Sequence, residues 1–194
     1  MVKDMAAIEK KLTSLQIGHF ILRVTDFIDN LLYQIKDIRI GKFYLPIGNL
    51  SFITSKYNIN INLFIGDGKI APIWAKDVAD LITLLSRQQN GKTTQKIIEL
   101  TGGYTVTGEE IRQIMGHCLQ RKVEYVNMKS EDWQLKMREY GMDYFKAENL
   151  TELYSDIRFI GSHMVNRQFE LLTGRNPSSI QCFMHTHLSY LTAQ

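Results

Sequence analysis

Hydrophobic positions along the chain repeat with two periods, and both meet within one stretch, His19 to Leu32. Phe20-Ile21-Leu22, closed by Arg23-Val24, suits a buried strand over Phe20–Val24. Phe27, Ile28, Leu31 and Leu32 follow the i, i+1, i+4, i+5 spacing of an amphipathic helix, predicted from about Phe27 to Ile38. Thr25 or Asp26 between them is the expected N-cap, its side-chain oxygen accepting from an orphan helix N–H. The chain thus runs strand, sharp turn, helix. Ligands of open α/β sheets bind outside the carboxyl ends of strands, where this turn belongs.

The same reading predicts a helix over Ala6–Leu15, with Ile8, Leu12 and Leu15 on one face and Gly18 stopping it. Ser51–Leu63 alternates Ile59, Ile61, Leu63 against Asn58, Asn60, Asn62, the pattern of a hairpin strand with one polar face. Asp67-Gly68 reads as a tight turn. Ile70–Trp74 reads as extended, and Asp77 as the cap of a helix burying Val78, Leu81, Ile82 and Leu85. Lys96–Leu100 is a strand, and Thr107 with Glu110 forms a capping box before a helix through Ile111, Ile114, Met115 and Cys118. Lys122–Asn127 alternates as an edge strand, and Ser130 caps a helix carrying Trp133 and Met137 that Gly141 ends. Leu150, Leu153, Ile157 and Ile160 stripe a helix over Ala147–Phe159, and Ser178 or Ser179 caps a last helix ending near Leu191. The pattern count is about seven helices and a few strands.

Composition narrows the function classes. Charged residues make up 22% of 194, net +3, with the basic ones scattered, so no nucleic-acid footprint stands out. Two cysteines, Cys118 and Cys182, give no disulfide framework, and the charged N-terminal stretch is no secretory signal. No apolar run is long enough to span a bilayer, so the expectation is a cytoplasmic protein without nucleic-acid or membrane partners. Cys182 and His185 share a helix face, but two ligands make no closed zinc site, and no metal is expected.

Leu22-Arg23, then Phe27 and Asn30, resemble the Leu-Arg-Pro, two residues, Phe, two residues, Asn segment of NmrA-like proteins, atypical members of the short-chain dehydrogenase/reductase superfamily; Val24 replaces the proline. The order of later features is similar too. It runs from the Ile-Ala-Pro-Ile-Trp segment into the Asp77-Val78-Ala79 helix, then the strand ending Leu100-Thr101-Gly102, and Leu172-Thr173-Gly174-Arg175 before Pro177. The resemblance implies an α/β fold, the C-terminal part of a Rossmann-type NAD(P)-binding fold with a small, largely helical substrate-side region. It divides the chain into 1–40, the last Rossmann helix-strand-helix, 41–69, a hairpin-like insertion, and 70–194, a substrate-side α/β region.

By the same resemblance Val24, Thr25, Asp26 and Phe27 lie beside the nicotinamide of NAD(P), and Phe27, Ile28 and Leu31 line a substrate pocket. No glycine run has the spacing that lets a backbone approach a pyrophosphate, so NAD(P) is not expected to bind tightly to this chain alone. The family's catalytic lysine aligns with Met5, whose thioether carries no proton to donate. No catalytic residue is therefore assigned. Two functions remain: the substrate-side portion of an oxidoreductase, inactive alone, or a non-catalytic dinucleotide-sensing or protein-interaction module. An unpaired sheet edge would invite self-association.

Overall fold

The computed structural model describes residues 2–15, 17–48, 68–88, 95–160 and 164–193. The alternating stretch 51–63 and the turn at Asp67 lie outside the described residues, as does most of the expected 41–69 insertion.

Helix α1 (Val2–Ser14) leads into β1 (His19–Val24). β1 pairs in parallel with β3 (Gln95–Leu100), from His19 opposite Gln95 to Val24 opposite Leu100. β2 (Lys42–Leu45) pairs in parallel with β4 (Glu124–Asn127). Parallel pairing of strands distant in sequence requires crossovers, and helices supply them. The crossovers carry α2 (Ile35–Arg39), α3 (Ala75–Gln88) and α4 (Gly108–Leu119), while α5 (Ser130–Glu139), α6 (Tyr144–Ile160), α7 (Gln168–Thr173), α8 (Ile180–Thr186) and α9 (Leu188–Thr192) follow β4. No described helix is long and apolar enough to cross a membrane.

Two apolar clusters organise the fold. The smaller packs Val78, Leu81 and Leu85 of α3 and Phe169 of α7 onto Ile98 and Leu100 of β3, with Phe20, Leu22 and Val24 beside them. The larger surrounds β2 and β4, built on Phe43, Met115, Trp133, Tyr154 and Phe183. Phe27 packs with the first cluster and Ile28 with the second, so the turn after β1 sits at their junction.

Several elements depart from the sequence expectation, each for a physical reason. β1 is half-buried rather than buried, because only its Phe20, Leu22, Val24 side packs on the small cluster. On the other side Arg23 reaches Glu9 of α1 at 2.6 Å and Glu99 of β3 at 3.3 Å, while Ile97, Met5 and Ile8 stay exposed. The amphipathic face of α1 is thus not a buried one.

The helix after β1 is a 3₁₀ helix over Ile28–Gln34 that tightens the chain before α2. Its N-cap is Phe27, without a side-chain cap, so neither Thr25 nor Asp26 caps it. Asp77 lies in the first turn of α3 rather than ahead of it, and the Ala75 amide that opens the helix donates to Asp29 instead (2.9 Å). Ile82 is exposed, off the buried face. Lys129 rather than Ser130 precedes α5, and the Ser130 hydroxyl meets that of Ser155. The last helix breaks at His187 into α8 and α9, with Ser179 capping the first. The capping box is as expected: the Glu110 amide donates to Thr107 Oγ1 (3.1 Å) and the Thr107 amide to Glu110 Oε2 (2.7 Å).

Candidate functional site

The turn after β1 is held from three sides. The Thr25 amide donates to Leu100 O (3.2 Å), and its hydroxyl donates to Ala71 O (3.0 Å). Residues Ala71 to Ile73 run alongside as an extended segment, with the Ile73 amide donating to Asp26 O (2.8 Å) and the Ile28 amide to Ile73 O (3.1 Å). Gly102 is required here: a Cβ on it would lie 2.2 Å from Pro72 O. Its amide donates to Ala71 O (2.9 Å), closing the end of β3 against the same segment.

Behind the turn lies a small internal cavity of about 20 Å³. Ile28, Leu31, Leu45, Ile70, Trp133 and Ile180 supply apolar wall, and Asp26, Asn30, Gln34 and Tyr154 the polar atoms. Among its described lining residues Phe27 alone is not buried.

The polar atoms are connected. Tyr154, from the middle of α6, donates its phenol proton to Asp26 Oδ2 at 2.9 Å. Asn30 Nδ2 donates to Asp26 Oδ1 at 2.7 Å. Asn30 Oδ1, buried, has no hydrogen-bond partner. Gln34 is bonded to Tyr44 at both ends of its amide, one N–H donating to Tyr44 O (2.9 Å) and the carbonyl accepting from Tyr44 N (2.7 Å).

Burial dominates the electrostatics. It pushes the Asp26 carboxyl up to about 6, against the bonds from Tyr154, Asn30 and the Phe27 amide, which favour the charged form. Lys146 contributes only a weaker attraction through space. Burial, joined by the neighbouring Asp26, also holds the Tyr154 phenol well above its ordinary value. An acid titrating near 6 beside a neutral phenol can accept or release a proton close to neutrality.

The expected site residues separate into two groups. Asp26, Phe27, Ile28 and Leu31 come together on the cavity. Val24 and Thr25 do not line it: Val24 packs half-buried in the small cluster, and the amide and hydroxyl of Thr25 are spent inside the fold. With the amides of Thr25, Phe27 and Ile28 all bonded, these three form no free cradle of N–H groups for phosphate. Met5 is exposed on α1.

Asn30 and Tyr154 were missed. Asn30 lies four residues after Asp26, and Tyr154 lies four after Leu150 and three before Ile157, so helical spacing put both within reach. Elsewhere Cys118 Sγ and His185 Nε2 approach to 3.9 Å without a third ligand, and no metal-holding cluster occurs among the described residues.

No protein-family model matches the chain. The chain is 28% identical over 128 residues to the uncharacterized oxidoreductase YesF of Bacillus subtilis, a match covering 66% of the chain and 44% of that protein. Among solved structures it resembles a new type of NADPH-dependent quinone oxidoreductase from Escherichia coli, with TM-score 0.71 and 19% identity over 96% of this chain and 60% of that one. It also resembles a nucleoside-diphosphate-sugar epimerase from Staphylococcus aureus, with TM-score 0.68 and 18% identity over 93% and 56%. The triphenylmethane reductase of Citrobacter sp., solved with NADP(H), gives 0.61 and 15% over 86% and 52%. The chain spans about half the length of these relatives, and what it shares with the solved ones is the fold, the Rossmann-type α/β architecture of NAD(P)-dependent reductases.

Proposed function

We propose that this chain is the substrate-side portion of an NAD(P)-binding, oxidoreductase-type protein of the NmrA-like kind. The observation that carries the reading is the turn after β1, which pairs an apolar rim at Val24 and Phe27 with a cavity lined by Phe27, Ile28 and Leu31. In this reading the nicotinamide ring lies against residues 24–27, Asp26 being held behind them, and an apolar ring compound such as a quinone enters past Phe27. Bound dinucleotide would supply hydride. The chain's own residues position the ring, exclude water with Ile28, Leu31 and Trp133, and hold a proton on Asp26. In this reading NAD(P) binds weakly to the chain alone, because no glycine run in it has the spacing that cradles a pyrophosphate.

Met5, exposed on α1 at the position where the resembled family has lysine, favours a second reading. There the chain is a dinucleotide-sensing or protein-interaction module of the cytoplasm that holds the nicotinamide without turnover. The half-covered β1–β3 sheet would then serve self-association or a protein partner.

Saturation-transfer NMR with millimolar NADPH tests both. Stronger transfer to the nicotinamide protons than to the adenine protons is expected. Equal transfer, or none, overturns the placement of the nicotinamide. Nicotinamide contact together with NADPH-dependent self-association selects the second reading, since the first also expects this portion to be inactive alone.

A further inference from the structure

The buried cavity behind Phe27 holds an imbalance. Its acceptors are unevenly served: the Asp26 carboxylate receives bonds from Tyr154, Asn30 and the Phe27 amide, and Asn30 Oδ1 receives none. Its two best donors, the Tyr154 hydroxyl and one Asn30 N–H, are already spent on Asp26. Leaving a buried carbonyl oxygen unpaired costs about 1–3 kcal/mol. Asn30 is 7% exposed, so bulk water does not relieve it.

The space fits a single small group. A cavity needs at least about 10–15 Å³ to admit one water, and this one has about 20 Å³. Its walls are mostly apolar, and Phe27 is the one described lining residue that is not buried.

We propose that this cavity is an anchoring subsite for one hydrogen-bond-donating terminal group, a hydroxyl or an ammonium, carried by an otherwise apolar ring molecule. The donor bonds to Asn30 Oδ1 and lies beside the Asp26 carboxylate, while the ring rests against Phe27. The inference deepens the reading of this turn as the substrate side and rests on it. It also gives that site a preference. Acceptors in the pocket favour a ligand ending in a hydroxyl over one ending in a carbonyl, since two facing acceptors leave both unsatisfied. The reduced form of a ring compound therefore sits better than the oxidised form.

The two donor types differ in what they meet. Asp26 faces Tyr154 and, farther off, Lys146 of α6, Asn30 and the Phe27 amide on its own segment, and the side chain of Trp133 on α5. An ammonium gains from a charged Asp26 and so binds better as the carboxyl ionises. A hydroxyl bonds to Asn30 in either state.

Proton–nitrogen NMR of the full chain, without dinucleotide, tests the proposal with toluene, benzyl alcohol and benzylamine. The alcohol or the amine should bind at least about threefold more tightly than toluene, as one net hydrogen bond provides. It should shift the Asn30 side-chain amide and the Trp133 indole N–H. Asn30→Leu, close in volume, should erase the preference. A preference for benzyl alcohol alone identifies the hydroxyl as the anchored group; one for benzylamine that grows as pH rises from 5 to 7 identifies the ammonium. Equal binding of all three, shifts away from Asn30 and Trp133, or a preference that survives Asn30→Leu overturns it. Should Asn30→Leu not fold, the wild-type ranking and shift map decide. Because no NADPH is present, failure here leaves the nicotinamide reading standing, and failure of nicotinamide contact leaves this result standing.

Discussion

Tyr154 donates its phenol proton to Asp26 across 128 residues of chain, tying the middle of α6 to the turn that follows β1. The bond stabilises a carboxylate that burial destabilises, and burial prevails: the carboxyl is raised from 3.8 to about 6. Between these values the folded state holds a proton that the unfolded chain has released. Stability is therefore greatest below pH 3.8 as far as Asp26 is concerned, and falls as pH rises to about 6. The expected loss is about 3 kcal/mol across that window. Urea unfolding of the wild type and of Asp26→Asn at pH 4 and pH 7 measures it. The wild type should lose stability relative to the variant between the two; parallel curves would show that Asp26 is not protonated in the fold.

Phe27 and Ile28 are neighbours in sequence but belong to different clusters, and truncating each should have a different cost. Ile28 is buried, and Ile28→Ala is expected to cost the ~2–5 kcal/mol of a core truncation. Phe27 is half-buried on the cavity wall, and Phe27→Ala should cost well under the ~3–5 kcal/mol of a core aromatic. Thermal unfolding of the two variants compares them. A Phe27→Ala loss equal to or above that of Ile28→Ala would make Phe27 core and close the proposed entrance.

Gly102 holds the end of β3 against Pro72. Gly102→Ala forces a methyl to 2.2 Å from a backbone oxygen, with no flexible side chain to give way. A loss of about 1–3 kcal/mol, the range for overpacking, is expected in urea unfolding. Gly103→Ala, whose Cβ would find the Pro177 ring at an ordinary 3.5 Å, should be milder and serves as the control.

Local chemistry was legible in the sequence where both partners lie within one turn. The Thr107–Glu110 box, the Gly141 stop and the strand at residues 96–100 were all readable, because neighbours three or four residues apart satisfy one another. The candidate site was legible only as a place. The strand–turn–helix pattern located residues 24–31, but the residues that give the turn its chemistry come from elsewhere: Tyr154 from α6, Trp133 from α5, the extended segment at Ala71 and Ile73. The caps failed for the same reason. Thr25, Asp26 and Asp77 are good local acceptors, yet each found a partner far along the chain, and a distant bond in a buried setting outweighs a solvated cap.

Asp77 shows how much such a distant bond carries. Its carboxylate, fully buried, accepts from the Ser178 amide (2.7 Å) and the Ser178 hydroxyl (3.0 Å) and pairs with Arg175 at 2.8 Å. It thereby fastens α3 to the loop between α7 and α8. Asp77→Ala leaves the Ser178 amide and hydroxyl without their acceptor and Arg175 with only Asp80 and Asn176 O, and should cost about 1–3 kcal/mol, the range for a donor left unpaired. Arg175 is half-exposed and also reaches Asp80 at 3.0 Å, so Arg175→Ala should cost less than Asp77→Ala. Asp77→Asn should fall between, since its oxygen still accepts from Ser178 but its charge no longer meets Arg175. Urea unfolding of the three variants gives the order. If Arg175→Ala proved as damaging as Asp77→Ala, the ion pair would be the fastening, and the two bonds from Ser178 incidental.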